Sequence, residues 1–301
     1  MRPAAPIAGL VSALLLGVSA VQAADAPPRL AAPAEVAGRL SERDLVILHA
    51  GSAADYAAGH IPGARLAPQD ALSVSSNGLM LQLPPEPELR AQLQRLGVSD
   101  RSRVLVYAAG AEVQPATRLM WTLDAAGLGD RAELLDGGLS AWKAAGKPVE
   151  TGPGKAVVEG RLAPLKMKPR LATYEQVAAR AGGLKVIDAR APVFYEGLQP
   201  GFGADPAKRG HIPGAVSVPF TSVTGADRRY KSAEELRAAF AKAGVKPGDH
   251  VAVYCHVGQQ ATAVQFAARR AGIDARLYDG SFQDWAKHDG PVETTPAGPT
   301  R

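Results

Sequence analysis

Cys255 is the one cysteine in 301 residues, and it stands in Val253-Tyr254-Cys255-His256-Val257-Gly258-Gln259-Gln260-Ala261. A lone thiol closes no bridge within its own chain. Two readings stand for it: a small buried hydrophobe, or a nucleophile. Its neighbours bear on the choice. The run before it is β-branched and apolar, as a buried strand requires. His256 to Gln260 read as a short turn with Gly258 in the middle. From Ala261 the pattern is helical. Strand, cysteine, turn and helix in that order aim the backbone N–H groups of 256–261 at the sulfur, and the positive end of the helix supports them. A thiol so placed favours its thiolate, and Gly258 lets the backbone bend close to it. Three features together, the sole cysteine, the glycine-bearing turn and the immediate helix, favour the nucleophile.

The elements that must hold this turn occur twice. Gly59-His60-Ile61-Pro62-Gly63-Ala64 returns as Gly210-His211-Ile212-Pro213-Gly214-Ala215. VLVYA at 104–108 returns as VAVYC at 251–255, and LLDGGLSAWKAAGKPVE at 134–150 returns as LYDGSFQDWAKHDGPVE at 277–293. Three landmarks in one order describe a duplicated domain. In the second copy, short apolar strands alternate with helical segments. Ser232 and Glu235 form a capping box at the start of one of them. Alternating strands and helices predict an α/β fold, a mostly parallel sheet in each copy with helices on both faces. Sites in such sheets lie beyond the carboxyl ends of strands, where Cys255 falls. The expected division is a first domain at 30–150, a Pro/Gly/Lys-rich linker at 151–172, a second domain at 173–293 and a disordered tail at 294–301.

Taken together, Val186-Ile187-Asp188-Ala189-Arg190, the two GHIPGA turns, VYCHVGQQA and LYDGSFQDW resemble the rhodanese sulfurtransferases in their tandem form. The resemblance covers about 30–293. It implies that Cys255 attacks the outer sulfur of a sulfane donor and becomes a persulfide. A thiophilic acceptor, cyanide or a thiol, then takes that sulfur in a ping-pong cycle. The turn residues His256, Val257, Gly258, Gln259, Gln260 and Ala261 would hold the persulfide. Asp188 and Arg190 match the family's Asp-x-Arg pair, which either contacts an anion or braces the site as a salt-linked pair. The first copy reads as inactive: Ala108 takes the cysteine position, and His49 and Gly51 take the Asp-x-Arg positions. It is expected to cover or shape the mouth of the site. An insertion, 23 positions from Asp188 to His211 against 11 from His49 to His60, reads as a surface loop whose Lys208 and Arg209 could steer anions, though solvated loop charge is the favoured reading of each. The turn departs from the basic loop of thiosulfate-preferring members and from the Gly/Ser loop of mercaptopyruvate-preferring ones. A second arginine implied shortly after Arg190 is replaced by Phe194. His256 could stand in for a basic turn residue, with a pKa near 6.5, or could face solvent.

Other chemistries fit less well. Cysteine phosphatases need an arginine six positions after the cysteine, and Ala261 stands there. A persulfide carrier serving a partner protein would use the same turn. None of the six histidines pairs with another at helical spacing, and one cysteine is too few for structural zinc, so no metal is expected. His60 and His211 read as structural, bonding backbone at their turns. No dinucleotide or P-loop motif follows a strand, so no cofactor is expected. Trp142 and Trp285 read as core. The formal charge of +5 is spread along the chain without a basic stripe, which argues against nucleic acid and is compatible with small anionic substrates. The first residues carry one charge, Arg2, then an apolar run over 7–20 and Val21-Gln22-Ala23. That is the layout of a secretory signal peptide cleaved after Ala23, in a protein destined for the periplasm or secretion without lasting membrane insertion.

Overall fold

In the computed structural model, residues 26–68, 70–201 and 208–295 are described. The expected signal peptide and most of the expected tail lie outside them. The first copy runs β1 (Arg29–Ala31), α1 (Pro33–Ala37), β2 (Leu45–Ala50), α2 (Ala53–Ala58), β3 (Arg65–Leu66), β4 (Val74–Ser76), β5 (Leu79–Gln82), α3 (Glu86–Arg95), β6 (Arg103–Ala108), α4 (Gln114–Ala125), β7 (Ala132–Leu135) and α5 (Gly138–Ala144). The second runs α6 (Tyr174–Ala178), β8 (Lys185–Asp188), α7 (Pro192–Tyr195), β9 (Val216–Ser217), α8 (Ala233–Lys242), β10 (His250–Tyr254), α9 (Gln260–Arg270), β11 (Asp274–Leu277) and α10 (Ser281–Lys287). Each copy builds one parallel sheet, β1-β7-β6-β2-β3 and β11-β10-β8-β9. β4 and β5 form a separate antiparallel hairpin.

The central strands have apolar middles because helices cover both faces. Val251, Ala252, Val253 and Tyr254 are all fully buried. One continuous core runs through both copies, joining Leu119 and Trp121 of α4 to Val264 and Phe266 of α9. A smaller core closes the far face of each sheet. Trp142 and Trp285 fill those far cores, and their indole N–H groups donate to Pro148 O at 2.7 Å and Pro291 O at 2.8 Å. The α4–α9 contact pairs like with like. Thr117 and Thr262 occupy equivalent positions in the two copies, 145 residues apart, and their hydroxyls meet at 2.8 Å. Asp124, equivalent to Arg269, accepts from Arg269 and from Arg170.

The stretch between the copies is extended and pinned rather than loose. Gly160 N donates to Gln94 O, Lys168 N to Ala125 O and Ala172 N to Leu277 O. The expected capping box forms at Ser232 and Glu235, and a second forms at Thr173 and Gln176. The insertion of the second copy differs from the expected loop, because it opens with helix α7. Tyr195 of α7 does what Tyr56 does in the first copy: each stacks at 3.8 Å on the histidine of its GHIPGA turn. His60 and His211 are structural in the sense expected, each ring Nδ1 bonding the backbone carbonyl of that tyrosine at 2.8 and 2.7 Å. The extra chain therefore lies after Tyr195, not directly after the Asp-x-Arg pair.

Candidate active site

Cys255 follows the last residue of β10 and is 1 % exposed. The turn 255–259 leads into α9, which starts at Gln260, one residue earlier than expected. Among the described residues no group accepts a hydrogen bond from the N–H of His256, Val257, Gly258 or Gln259. The turn thus keeps a set of donors uncommitted next to the sulfur, as an anion cradle requires. Gly258 has φ +83, a left-handed conformation, and a Cβ there would stand 2.7 Å from Asp279 O and 3.2 Å from the Arg118 guanidinium. Both conditions exclude a side chain. Gly258→Ala is expected to lower sulfur loading about 100-fold, the usual penalty for a displacement near 1 Å. Stopped-flow loading rates on a variant with wild-type circular dichroism would check this; an unchanged rate would mean the turn geometry is unimportant.

Behind the turn, the Cys255 N–H donates to Ser281 Oγ at 3.2 Å, and Cys255 O accepts from Phe282 N at 3.0 Å. Ser281 has φ +53, and its equivalent in the first copy is Gly138 at φ +58. The serine holds a conformation that suits glycine, at a cost on the order of 1 kcal/mol. Its hydroxyl offsets this by donating to Tyr278 O at 2.9 Å while receiving the Cys255 N–H.

Asp188 and Arg190 form a buried, bidentate pair. Arg190 Nε lies 3.0 and 3.1 Å from the two Asp188 oxygens, and Nη2 donates to Asp188 Oδ2 at 2.6 Å and to Gly210 O at 2.7 Å. Tyr254 O–H donates to Asp188 Oδ2 at 2.6 Å and receives Ile212 N–H at 3.0 Å. Burial opposes the Arg190 charge, but the Asp188 hydrogen bonds and charge outweigh it and hold the guanidinium above its ordinary value. The pair braces β8 against β10 and the GHIPGA turn. In the first copy His49 takes over the tyrosine, with Nδ1 2.8 Å from Tyr107 Oη. A neutral ring thus replaces an ion pair, and no charge is left to hold.

His256 neither replaces a basic residue nor faces solvent. Its ring is 7 % exposed and meets Phe194 edge-on at 4.6 Å. Burial, then the nearby Arg190 charge, lowers its pKa to about 4. Burial, then the charge of His60, lowers His49 to about 4 as well. Both rings are neutral at pH 7. The unfolded chain protonates them near 6.5 and the folded chain near 4, so between those values the unfolded state binds more protons and stability falls as the pH drops. Urea unfolding at pH 7, 5.5 and 4.5 should show wild type losing more stability than His256→Gln, by on the order of 1–2 kcal/mol. Equal losses would show that the ring is not held neutral.

The wall facing Cys255 comes from the first copy. The β4–β5 hairpin turns at Asn77 and Gly78, both at positive φ. Met80 N donates to Gln283 Oε1 at 3.1 Å and Leu83 N to Asp279 Oδ2 at 2.8 Å. Arg118 of α4, 1 % exposed, donates to Asp279 Oδ1 at 2.5 Å, to Gly258 O at 3.2 Å and to Leu81 O. A cavity of about 540 Å³ results, lined by Cys255, His256, Val257, Gln259, Gln260 and Phe194 on one side and by the hairpin region on the other. Lys208 and Arg209 are not in that lining, and Lys208 pairs with Asp289 at 2.6 Å. Sequence reasoning missed Arg118, Asp279, Ser281 and the hairpin. The Asn77-Gly78 dipeptide was the available signal for the hairpin, and the repeated Asp-Gly of 136–137 and 279–280 for Asp279.

The Rhodanese-like domain profile matches residues 32–145 and again 173–288. The chain belongs to the rhodanese family. Among its rhodanese relatives, a Synechococcus elongatus protein provisionally named a thiosulfate sulfurtransferase is 32 % identical, over 96 % of this chain and 94 % of its own. A Pseudomonas aeruginosa thiosulfate sulfurtransferase is 30 % identical over 88 % and 97 %. Human 3-mercaptopyruvate sulfurtransferase is 30 % identical over 79 % and 81 %. Of solved structures, the 3-mercaptopyruvate sulfurtransferase of Leishmania major superposes with a TM-score of 0.75 at 23 % identity, over 87 % of this chain and 76 % of that one. The anaerobic ergothioneine biosynthesis enzyme of Chlorobium limicola superposes with a TM-score of 0.77 at 23 % identity, over 89 % and 71 %. At those identities the structural likeness concerns the fold.

Proposed function

We propose that this rhodanese moves sulfane sulfur through a persulfide on Cys255. The enzyme is a sulfurtransferase, and what carries the mechanistic reading is the buried Cys255 beneath a turn with uncommitted N–H donors. With thiosulfate, the Cys255 thiolate attacks the outer sulfur, the donor S–S bond breaks, and sulfite leaves with the electron pair. The persulfide anion is held by the N–H groups of 256–261. An acceptor such as cyanide attacks the outer sulfur, leaves as thiocyanate and regenerates the thiolate. Asp188 and Arg190 act as positioning residues that fix the strand end under the turn. The first copy supplies the opposite wall. A carrier that hands sulfur to a folded partner needs an accessible sulfur, and the depth of Cys255 favours small-molecule turnover instead.

The reading includes export. The residue 1–23 pattern supports a cleaved signal peptide and a periplasmic or secreted enzyme. No helix among the described residues is long and apolar enough to cross a membrane. Intact-mass spectrometry of protein recovered outside the cytoplasm tests both points. The expected chain begins at Ala24. Incubation with 3-mercaptopyruvate, thiosulfate or a further donor that carries sulfane sulfur should add about 32 Da, and cyanide should remove it as thiocyanate; with 3-mercaptopyruvate the C–S bond breaks and pyruvate leaves. A fully reduced thiol that gains nothing from any of them would sink the mechanism.

A further inference from the structure

The wall over Cys255 has the wrong chemistry for a small dianion. The cavity of about 540 Å³ is of the size that encloses an organic molecule. Val74, Met80, Leu81, Phe194 and Val257 give its sides their apolar character, with the neutral polar residues Ser73, Ser75, Gln259 and Gln260 between them. Among the described residues no lysine or arginine lines it, and its one charged lining residue is Asp70. Arg190 lies outside the lining with its Nε and Nη2 spent on Asp188 and Gly210. The turn N–H groups can stabilise charge at the transferred sulfur. Charge at the far end of a donor would instead meet a largely apolar wall and the Asp70 carboxylate, with no lining cation to pair it.

We propose that the cavity selects a sulfane donor with an apolar organic body and at most one negative charge, and that Asp70 excludes dianions. The proposal rests on the sulfur-transfer reading of Cys255. With an organic persulfide R–S–SH, the Cys255 thiolate attacks the outer sulfur. The donor S–S bond breaks, its electron pair leaves on R–S⁻, and the proton stays with the transferred sulfur as Cys255–S–SH. Asp70 is a specificity-determining residue on the exposed rim, so its substitution leaves the core intact.

The test compares three donors: thiosulfate as the dianion, methanethiosulfonate as a small monoanion and benzenethiosulfonate as a monoanion with an apolar body. Loading of Cys255 is followed by intact mass, and each kcat/KM is divided by the donor's rate with dithiothreitol to remove intrinsic reactivity. Benzenethiosulfonate should exceed methanethiosulfonate by about ten-fold, from burial of the ring, and thiosulfate should be slowest. Asp70→Asn should raise the thiosulfate value about five-fold and leave the monoanions within about two-fold. Thiosulfate loading as fast as benzenethiosulfonate, or an Asp70→Asn variant with unchanged donor ratios, would overturn the proposal. If none of the three adds sulfur to the reduced protein, the persulfide reading itself fails, and the unchanged mass distinguishes that case.

Discussion

Cys255→Ser is expected to abolish sulfur loading and to lower turnover by at least about 10⁴-fold, the scale seen when a covalent nucleophile is removed. The change is small in shape, and the site is 1 % exposed within the shared core. The backbone bonds of residue 255 to Ser281 and Phe282 involve only main-chain atoms on its side, so they survive the substitution. Stability should therefore change little while chemistry stops. A hydroxyl is far less nucleophilic toward sulfur than a thiolate, and an O–S adduct would not deliver sulfur to a thiol or cyanide. Cys255→Ala should match it, since neither forms the persulfide. Thiocyanate production and intact mass on both variants check this. Residual turnover within ten-fold of wild type would place the sulfur on a donor–acceptor path that bypasses the cysteine.

Arg118→Met is expected to destabilise the protein by about 3–5 kcal/mol, as breaking a buried pair does. Three acceptors lose their donor at once: Asp279 Oδ1, Gly258 O and Leu81 O. Asp279 then keeps a buried charge, answered among the described residues by Leu83 N–H alone. Because Gly258 O belongs to the turn, loading should also slow, by about ten-fold or more. The pair can be separated from mere bulk with a double-mutant cycle. Arg118→Met combined with Asp279→Leu should cost less than the sum of the two single changes, since no unpaired charge remains. Urea midpoints for the four proteins measure it. A single-variant loss below about 1 kcal/mol would mean water replaces the guanidinium.

What the sequence made legible was local or repeated. The sheet strands, the Ser232 capping box, the turn after Cys255 and the roles of Trp142 and Trp285 each follow from a short pattern. The matching Asp188–Tyr254 and His49–Tyr107 contacts show the same backbone kept in both copies while the side chains that meet the tyrosine differ. The missed features depend on where the two copies meet. Arg118 lies on a helix of the copy without the cysteine, and nothing in its neighbours says that α4 packs on α9. His256 was misjudged for a related reason. Its surroundings, Phe194 and Arg190, are sixty or more residues away in sequence, and burial rather than residue type sets its charge.

The contact between Thr117 and Thr262 has a consequence for concentration. Equivalent residues meeting each other is the mark of a two-fold arrangement, as in a dimer of like subunits. Two separate chains joined that way would part on dilution, and Cys255 would lose the wall that Met80 and Leu81 supply and the Arg118 bonds that hold it. Here the extended stretch 151–172 makes the encounter intramolecular, at an effective concentration no free partner reaches. Turnover per molecule should therefore stay constant down to the lowest enzyme concentration that can be assayed.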